Sequence, residues 1–372
     1  MAVMREPRID PTRWASARTI LAVRLDSMGD VVMTGPAIRA LAALPRTTQP
    51  RMITLLTSPS GAGVAPMLPD VDDTIVYRAP WMPGAGGDAG PDAQLIDRLA
   101  GRGFDAAVIF TTVTQSALPA ATVCRLAAIP LRAARCRENP YALLTDWMPD
   151  GPDDSGQHEV LRHLALVTAL GGTTDDDRLA LALPPGTLDV AIDTLAAAGV
   201  AVGDPTIVFH PGARASSRRY DPRSFAAAAD ALATEGWRIV VTGSVADRDV
   251  VRAMCGAMRT APVDLSGVLS LPVLAATIAN ADAIVTNNTG PAHLAAAVQT
   301  PVVDLYALTN LQHTPWRAPS RVLFHDVPCK GCLSSVCPEG HHHCLAKVPP
   351  AAVVDAVHEL TASDRRVLVR AG

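Results

Sequence analysis

The stretch 286-TNNTGPAHLAAAV-298 reads as the end of a strand, a tight polar turn and the opening of a helix. The apolar run before it, Ala283-Ile284-Val285, has the character of a buried parallel strand. Asn288 or Thr289 can serve as the helix N-cap, and Pro291 suits the first helical turn, where its missing N–H costs nothing. A turn of this kind presents backbone N–H groups at the positive end of a helix, which suits a phosphate. An ordinary capped turn has the same local sequence, so its meaning depends on the other strand ends.

Working outward, strands and helices alternate along the chain. The first half has strands at 20–25, 51–57, 73–77 and 104–110, with helices near 31–44, 93–102, 115–127 and 157–171. Residues 1–17 read as a ragged leader, Ala79–Pro91 and Pro149–Ser155 as loops, and Pro36 as a kink or a first-turn proline. Pro184-Pro185-Gly186 marks the boundary, after which the pattern restarts with strands at 206–210, 237–243, 263–265, 283–285 and 301–307. Helices alternate with them, and a last helix spans about 350–363. This order predicts an α/β chain of two doubly wound parallel-sheet halves, 18–180 and 187–350. The C-terminal helix at 351–365 is expected to pack back toward the N-terminal half.

Ligands of open parallel sheets bind beyond the carboxyl ends of the strands. After the first strand come Ser27, Gly29 and Asp30. Gly29 permits a close turn, and the helix dipole favours an ionised carboxylate at Asp30, which suits either a proton acceptor or a helix cap. After 206-TIVFH-210 come Gly212, Ala213 and three arginines, Arg214, Arg218 and Arg219, whose guanidiniums suit bidentate pairing with phosphate. Ser244 and Asp247 follow 237-WRIVVTG-243, where Asp247 can bond ribose hydroxyls or cap its helix. Asn288, Thr289, Gly290 and His293 complete the set, His293 reaching a diphosphate or packing in the core.

Composition narrows the function. Acidic and basic residues, 36 and 32, are mixed along the chain with no basic block of the kind that tracks nucleic acid. No secretory signal or apolar span is visible, so the expected location is the cytoplasm. No G-x-G-x-x-G follows the first strand, which disfavours a dinucleotide oxidoreductase. Four of the seven cysteines, Cys329, Cys332, Cys337 and Cys344, lie in one short segment with His341, His342 and His343. Their spacing allows a structural zinc or an iron–sulfur cluster, and equally reduced thiols packing a loop or a disulfide pair.

The stretches 24-RLDSMGDVVMTGPAIRAL-41, 209-FHPGARASSRRYDPRSF-225, 237-WRIVVTGSVAD-247 and 285-VTNNTGPAHLAAAV-298 together resemble glycosyltransferase family 9, the ADP-heptose:lipopolysaccharide heptosyltransferases. The resemblance implies the GT-B fold, two Rossmann-like domains facing across a cleft, and an inverting transfer that needs no cofactor for catalysis. It implies Asp30 as general base and Arg218 at the departing diphosphate. Gly212, Ala213, Ser244, Asp247, Asn288, Thr289, Gly290 and His293 become donor-binding residues, with Ser27 and Gly29 on the acceptor side. The implied partners are ADP-heptose and a saccharide or lipid-linked acceptor, with any membrane contact peripheral, at the cytoplasmic face of the inner membrane. The family usually has Asp where this chain has Asn288, so a different nucleotide-sugar is an alternative donor. A non-catalytic sugar-nucleotide-binding protein is the alternative from another class.

Overall fold

The computed structural model describes residues 9–45, 50–82, 89–150, 156–310 and 312–362. Residues 1–8 of the expected leader, 83–88 of the first expected loop and 151–155 of the second lie outside them. The chain divides into two compact units, Met1–Ala182 and Leu183–Gly372.

The first unit runs α1 (Pro11–Trp14), β1 (Thr19–Arg24), α2 (Met28–Ala42), β2 (Met52–Thr57), β3 (Asp73–Val76) and α3 (Gly90–Arg102). It continues with β4 (Ala106–Ile109), α4 (Leu118–Leu126), β5 (Leu131–Cys136), β6 (Asp146–Pro149) and α5 (Glu159–Ala169). The strands form one parallel sheet in the order β3-β2-β1-β4-β5-β6. Helices α3 and α4 cover one face through Leu95, Leu99, Ala121 and Cys124, which meet Leu21, Val23, Ala107 and Ile109. Helices α2 and α5 pack together, and α2 lies on β1 and β2.

Three features here depart from the sequence reading. From residue 9 onward the expected leader is anchored, because Asp10 caps α1 and Trp14 is fully buried. Helix α2 starts at Met28, so Pro36 lies in its interior. Strands β5 and β6 were not expected, since Arg132 and Arg135 sit where an apolar run would be sought. Both arginines are buried with their donors satisfied, Arg132 Nε on the Leu143 carbonyl at 2.6 Å and Arg135 Nε on Asp150 Oδ1 at 2.8 Å.

The second unit runs α6 (Thr187–Ala197), β7 (Thr206–His210), α7 (Pro222–Thr234), β8 (Arg238–Val241), α8 (Arg248–Ala257) and β9 (Val263–Asp264). Then come α9 (Leu271–Ala279), β10 (Ala283–Asn287), α10 (Gly290–Ala297), β11 (Val302–Leu305), β12 (Ser320–Leu323), α11 (His343–Ala346) and α12 (Pro350–Thr361). Its parallel sheet has the order β12-β11-β10-β7-β8-β9. Counted from β7, this is the same winding as in the first unit. The chain starts mid-sheet, builds outward on one side, then returns to build the other.

Ile207, Phe209, Val241 and Val285 point to one face, where Phe225 and Leu232 of α7 and Val251 and Met254 of α8 bury them. Three aromatic rings of this core meet in one group. Phe225 meets Tyr220 edge-on at 5.0 Å and Phe209 at 6.2 Å between ring centres. Helix α12 gives Val353, Ala356, Val357 and Leu360 to this core. Its apolar stripe matches the face left open beside α7, whereas the sequence carries no sign of which sheet it covers.

Candidate active-site residues at the two switch points

In each sheet the winding reverses between two neighbouring strands, β1 and β4 in the first unit and β7 and β10 in the second. Connections leave these pairs in opposite directions, which opens a crevice beyond their carboxyl ends. A side-chain amide bridges each pair. Gln115, after β4, donates through Nε2 to Asp26 Oδ1, after β1. Asn287, at the end of β10, accepts from the Tyr220 backbone N–H at 2.9 Å and donates to the Pro211 carbonyl at 2.8 Å. It thereby holds both ends of the loop that follows β7.

At the first switch point Ser27 is the N-cap of α2 and Asp30 its third residue. The Asp30 carboxylate accepts from the Ser27 backbone N–H at 3.0 Å and the Ser27 hydroxyl at 2.6 Å, a capping box. Gly29 is buried within the same turn. The cap and the candidate base are therefore one group, and Asp30 keeps 14% of its side chain exposed. Behind it lies a cluster that the sequence reading missed. Arg24, fully buried at the end of β1, pairs with Asp26 at 3.1 Å, Asp30 at 3.3 Å and Glu159 at 3.4 Å. Arg162 pairs with Asp150 at 2.8 Å and lies 3.6 Å from Glu159.

Burial pushes the Asp26 carboxyl up to about 6, with Arg24 opposing the rise and Asp30 adding to it. Burial holds His163 down at about 4, against the pull of Glu159. Burial also raises Glu159, but His163, Arg24 and Arg162 outweigh it and leave that carboxyl well below the usual range. A cation and an acid in otherwise apolar 20-ILAVRLD-26 are the sequence signal that could have exposed this cluster, since neither is buried without a partner.

At the second switch point the expected donor-binding residues come together because β10, β7 and β8 are neighbours. Gly212 and Ala213 follow β7, and the Ala213 carbonyl accepts from Arg219 Nε at 2.8 Å. Ser244 and Asp247 follow β8 and repeat the first unit's capping box, with Asp247 accepting from Ser244 N–H at 2.9 Å and Oγ at 2.6 Å. A Cβ on Gly212 would stand 2.5 Å from Oδ1 and 2.7 Å from Oδ2 of Asp247, so only glycine lets the loop lie against that carboxylate. Asn288 is buried after β10, and Thr289 rather than Asn288 is the N-cap of α10, without a side-chain cap bond. Gly290 opens the helix and His293 is buried in its first turn.

Beneath these residues lies a polar layer that was also missed. Thr286 pairs with His210 on one side and Asp304 on the other, and His210 Nδ1 is 3.0 Å from Thr242 Oγ1. Burial lowers His210 to about 4, against the Asp247 charge. Asp304 is fully buried, neither oxygen meets a hydrogen-bond partner among the described residues, and burial drives its carboxyl well above the usual range. The opposing charge is Arg218, which stands in a one-turn 3-10 helix, Ser216–Arg218.

The cysteine segment is fastened to this site through its backbone. Ser217 N–H donates to the Ser335 carbonyl at 3.1 Å and Ser217 Oγ to the Ser334 carbonyl at 2.7 Å. Gly331 and Leu333 N–H groups reach the Leu308 and Thr309 carbonyls at 2.7 and 2.8 Å. The expected set Cys329, Cys332, Cys337 and Cys344 lies in this segment, with Cys344 near both Cys329 and Cys337. Among the described residues no three His, Cys, Asp or Glu side chains are placed to hold an ion. Cys329 and Cys344 instead pack toward Tyr306, Leu308 and Val327, and Cys329 Sγ is 4.0 Å from His341 Nε2. None of the cysteines of the described residues is in a disulfide.

The family model described as Glycosyltransferase family 9 (heptosyltransferase) matches residues 93–343. The chain belongs to glycosyltransferase family 9. Lipopolysaccharide heptosyltransferase 3 of Escherichia coli is 28% identical over 218 residues, 56% of this chain and 62% of that protein. Lipopolysaccharide heptosyltransferase 2 of Escherichia coli K12 is 31% identical over 167 residues, 42% of this chain and 47% of that protein. The matches thus span about half to three-fifths of these curated relatives. A solved family 9 glycosyltransferase from Veillonella parvula superposes with a TM-score of 0.80 at 21% identity, covering 93% of this chain and 98% of that one. The ADP-heptose lps heptosyltransferase II structure from E. coli gives 0.75 at 24%, covering 94% and 100%. This family 9 chain has the GT-B fold of those structures. Among the described residues no helix is long and apolar enough to cross a membrane.

Proposed function

We propose that this family 9 protein is an inverting glycosyltransferase that moves a heptose from ADP-heptose to a saccharide acceptor of the lipopolysaccharide core. The observation that carries the reading is the Asp30 carboxylate, held on the first turn of α2 by Ser27 and Arg24 at a switch point. A partly exposed carboxylate in that place can accept the proton of an acceptor hydroxyl as its oxygen attacks the anomeric carbon. As that bond forms, the sugar–phosphate bond breaks and negative charge gathers on the leaving diphosphate. Arg218, with the N-terminal turn of α10, is suited to meet that charge, and stabilisation there acts on the barrier itself. The relatives support the donor, since E. coli WaaC has been solved with ADP and with ADP-2-deoxy-2-fluoro heptose. The reading requires no metal for transfer, and with a lipid-linked acceptor the work belongs at the cytoplasmic face of the inner membrane.

Asn288 favours a second reading, in which the fold and mechanism stay but the sugar differs. An amide in place of a carboxylate loses a charge and gains a donor toward the sugar hydroxyls. The test is a thermal-shift panel of ADP-, UDP-, GDP- and dTDP-sugars, followed by transfer assays on wild type and Asp30→Asn. A donor at about 100 times its Kd adds roughly 2.7 kcal/mol of stability. Selective stabilisation by ADP-heptose, with transfer lost and binding kept in D30N, supports the proposal. Stabilisation by another nucleotide sugar replaces the donor. No shift with any of them favours a non-catalytic protein.

A further inference from the structure

Arg24 brings one positive charge, wholly buried, to three carboxylates. Glu159, the third, also has Arg162 at 3.6 Å and His163 Nε2 at 3.1 Å. Asp26 and Asp30 lie four residues apart around the same turn and take Nε and Nη2 of the one guanidinium. Asp26 gives its other oxygen to Gln115 and is 8% exposed, so it is closed off from an incoming hydroxyl. Asp30 is the more open of the two. The arrangement is one accessible carboxylate and one enclosed carboxylate dividing a single cation.

We propose that Asp26 sets the proton affinity of Asp30 by drawing on the charge of Arg24 that would otherwise neutralise it. This rests on the reading of Asp30 as general base. When ionised, Asp26 shares the Arg24 charge as an ion pair at 3.1 Å and repels the Asp30 charge, and both effects favour a proton on Asp30. When Asp26 is neutral, Arg24 serves Asp30 and Asp30 becomes a weaker base. Asp26 is thus a positioning residue that touches no substrate. The groups facing the pair are Arg24 from β1, Gln115 before α4, and Glu159, Arg162 and His163 from α5. Ser58, after β2, donates to the Asp26 carbonyl at 2.6 Å, leaving the carboxylate to Arg24 and Gln115. The burial that raises Asp26 brings its titration close to neutral pH, so mild acid removes its charge while Asp30 is still needed.

The direct test is a carboxyl-carbon NMR titration of the full chain labelled with 13C-aspartate, Asp26→Asn and Asp30→Asn supplying the assignments. In D26N the Asp30 midpoint is expected to fall by about one pH unit or more, a tenfold loss of proton affinity. In the unsubstituted protein the Asp30 signal is expected to show two inflections, the second tracking Asp26. This arm survives even where D26N fails to fold. An Asp30 midpoint that stays put or rises in D26N, or a single inflection in the unsubstituted chain, overturns the proposal. Where wild type transfers sugar, D26N should lower kcat about tenfold at pH 7 with little change in KM and move the acid limb to lower pH. A wild type with no transfer defeats the functional reading, while the NMR titration still decides the coupling.

Discussion

Replacing Gly212 with alanine tests how the donor side of the second unit is built. A Cβ there would stand 2.5 and 2.7 Å from the two Asp247 oxygens, well inside van der Waals contact. The carboxylate is the far end of a short side chain, so it can swing away, but it then leaves Ser244 N–H and Oγ, which it now holds at 2.9 and 2.6 Å. Losing that cap costs about 1 kcal/mol, and resisting the loss costs about 1–3 kcal/mol of overpacking. The smaller outcome prevails, so G212A should lose about 1–2 kcal/mol, or roughly 3–6 °C in Tm for a unit of this size. Nucleotide affinity should fall as well, since the displaced carboxylate and the 211–213 backbone share one site. The assay is a double-mutant cycle of Gly212→Ala with Asp247→Ala, read by urea unfolding and nucleotide binding. Truncating Asp247 removes the three atoms nearest the new methyl, so G212A should then cost much less, a coupling of about 1 kcal/mol or more. An equal cost in both backgrounds would refute the steric argument.

Asn287→Ala should be more damaging, because it strands the buried Tyr220 N–H and Pro211 carbonyl that Asn287 satisfies. We expect about 2–4 kcal/mol of lost stability, and looser nucleotide binding by calorimetry, whereas unchanged binding would mean that the loop is held by other contacts. Glu159→Gln should cost about 3 kcal/mol or more by urea melts, since it leaves Arg24 and Arg162 short of a buried countercharge. A loss under 1 kcal/mol would show the cluster to be hydrated. Acid should destabilise both units through histidine. His163 and His210 are held near 4 by burial, so between about pH 6.5 and 4 the unfolded chain binds protons that the native chain refuses. Stability therefore rises with pH across that window, by up to roughly 3 kcal/mol per histidine. His163→Gln and His210→Gln should each flatten the melting temperature against pH, and a profile that keeps its slope in both counts against the assignment.

Local sequence determined the alternation of strands and helices, the restart after Pro184-Pro185-Gly186, and the strand ends carrying Ser27, Asp30, Gly212, Asp247 and Gly290. Such features are legible because a strand, its cap and the following helix are written in consecutive residues. Even the two capping boxes stand out as serine and aspartate three positions apart. Tertiary structure alone decided the rest. Strands β5 and β6 were hidden by Arg132 and Arg135, whose Nε acceptors, Leu143 and Asp150, lie 11 and 15 residues further along the chain. Helix α12 carries an apolar stripe whose host sheet only folding selects. The Cys segment is tied by its backbone to the loop after β7, a pairing that no local pattern announces. Arg24, Asp26 and Glu159 are charges in apolar surroundings, read in isolation as exceptions. A buried charge has meaning only through its partner, and Arg24 and Glu159 meet across 135 residues of chain.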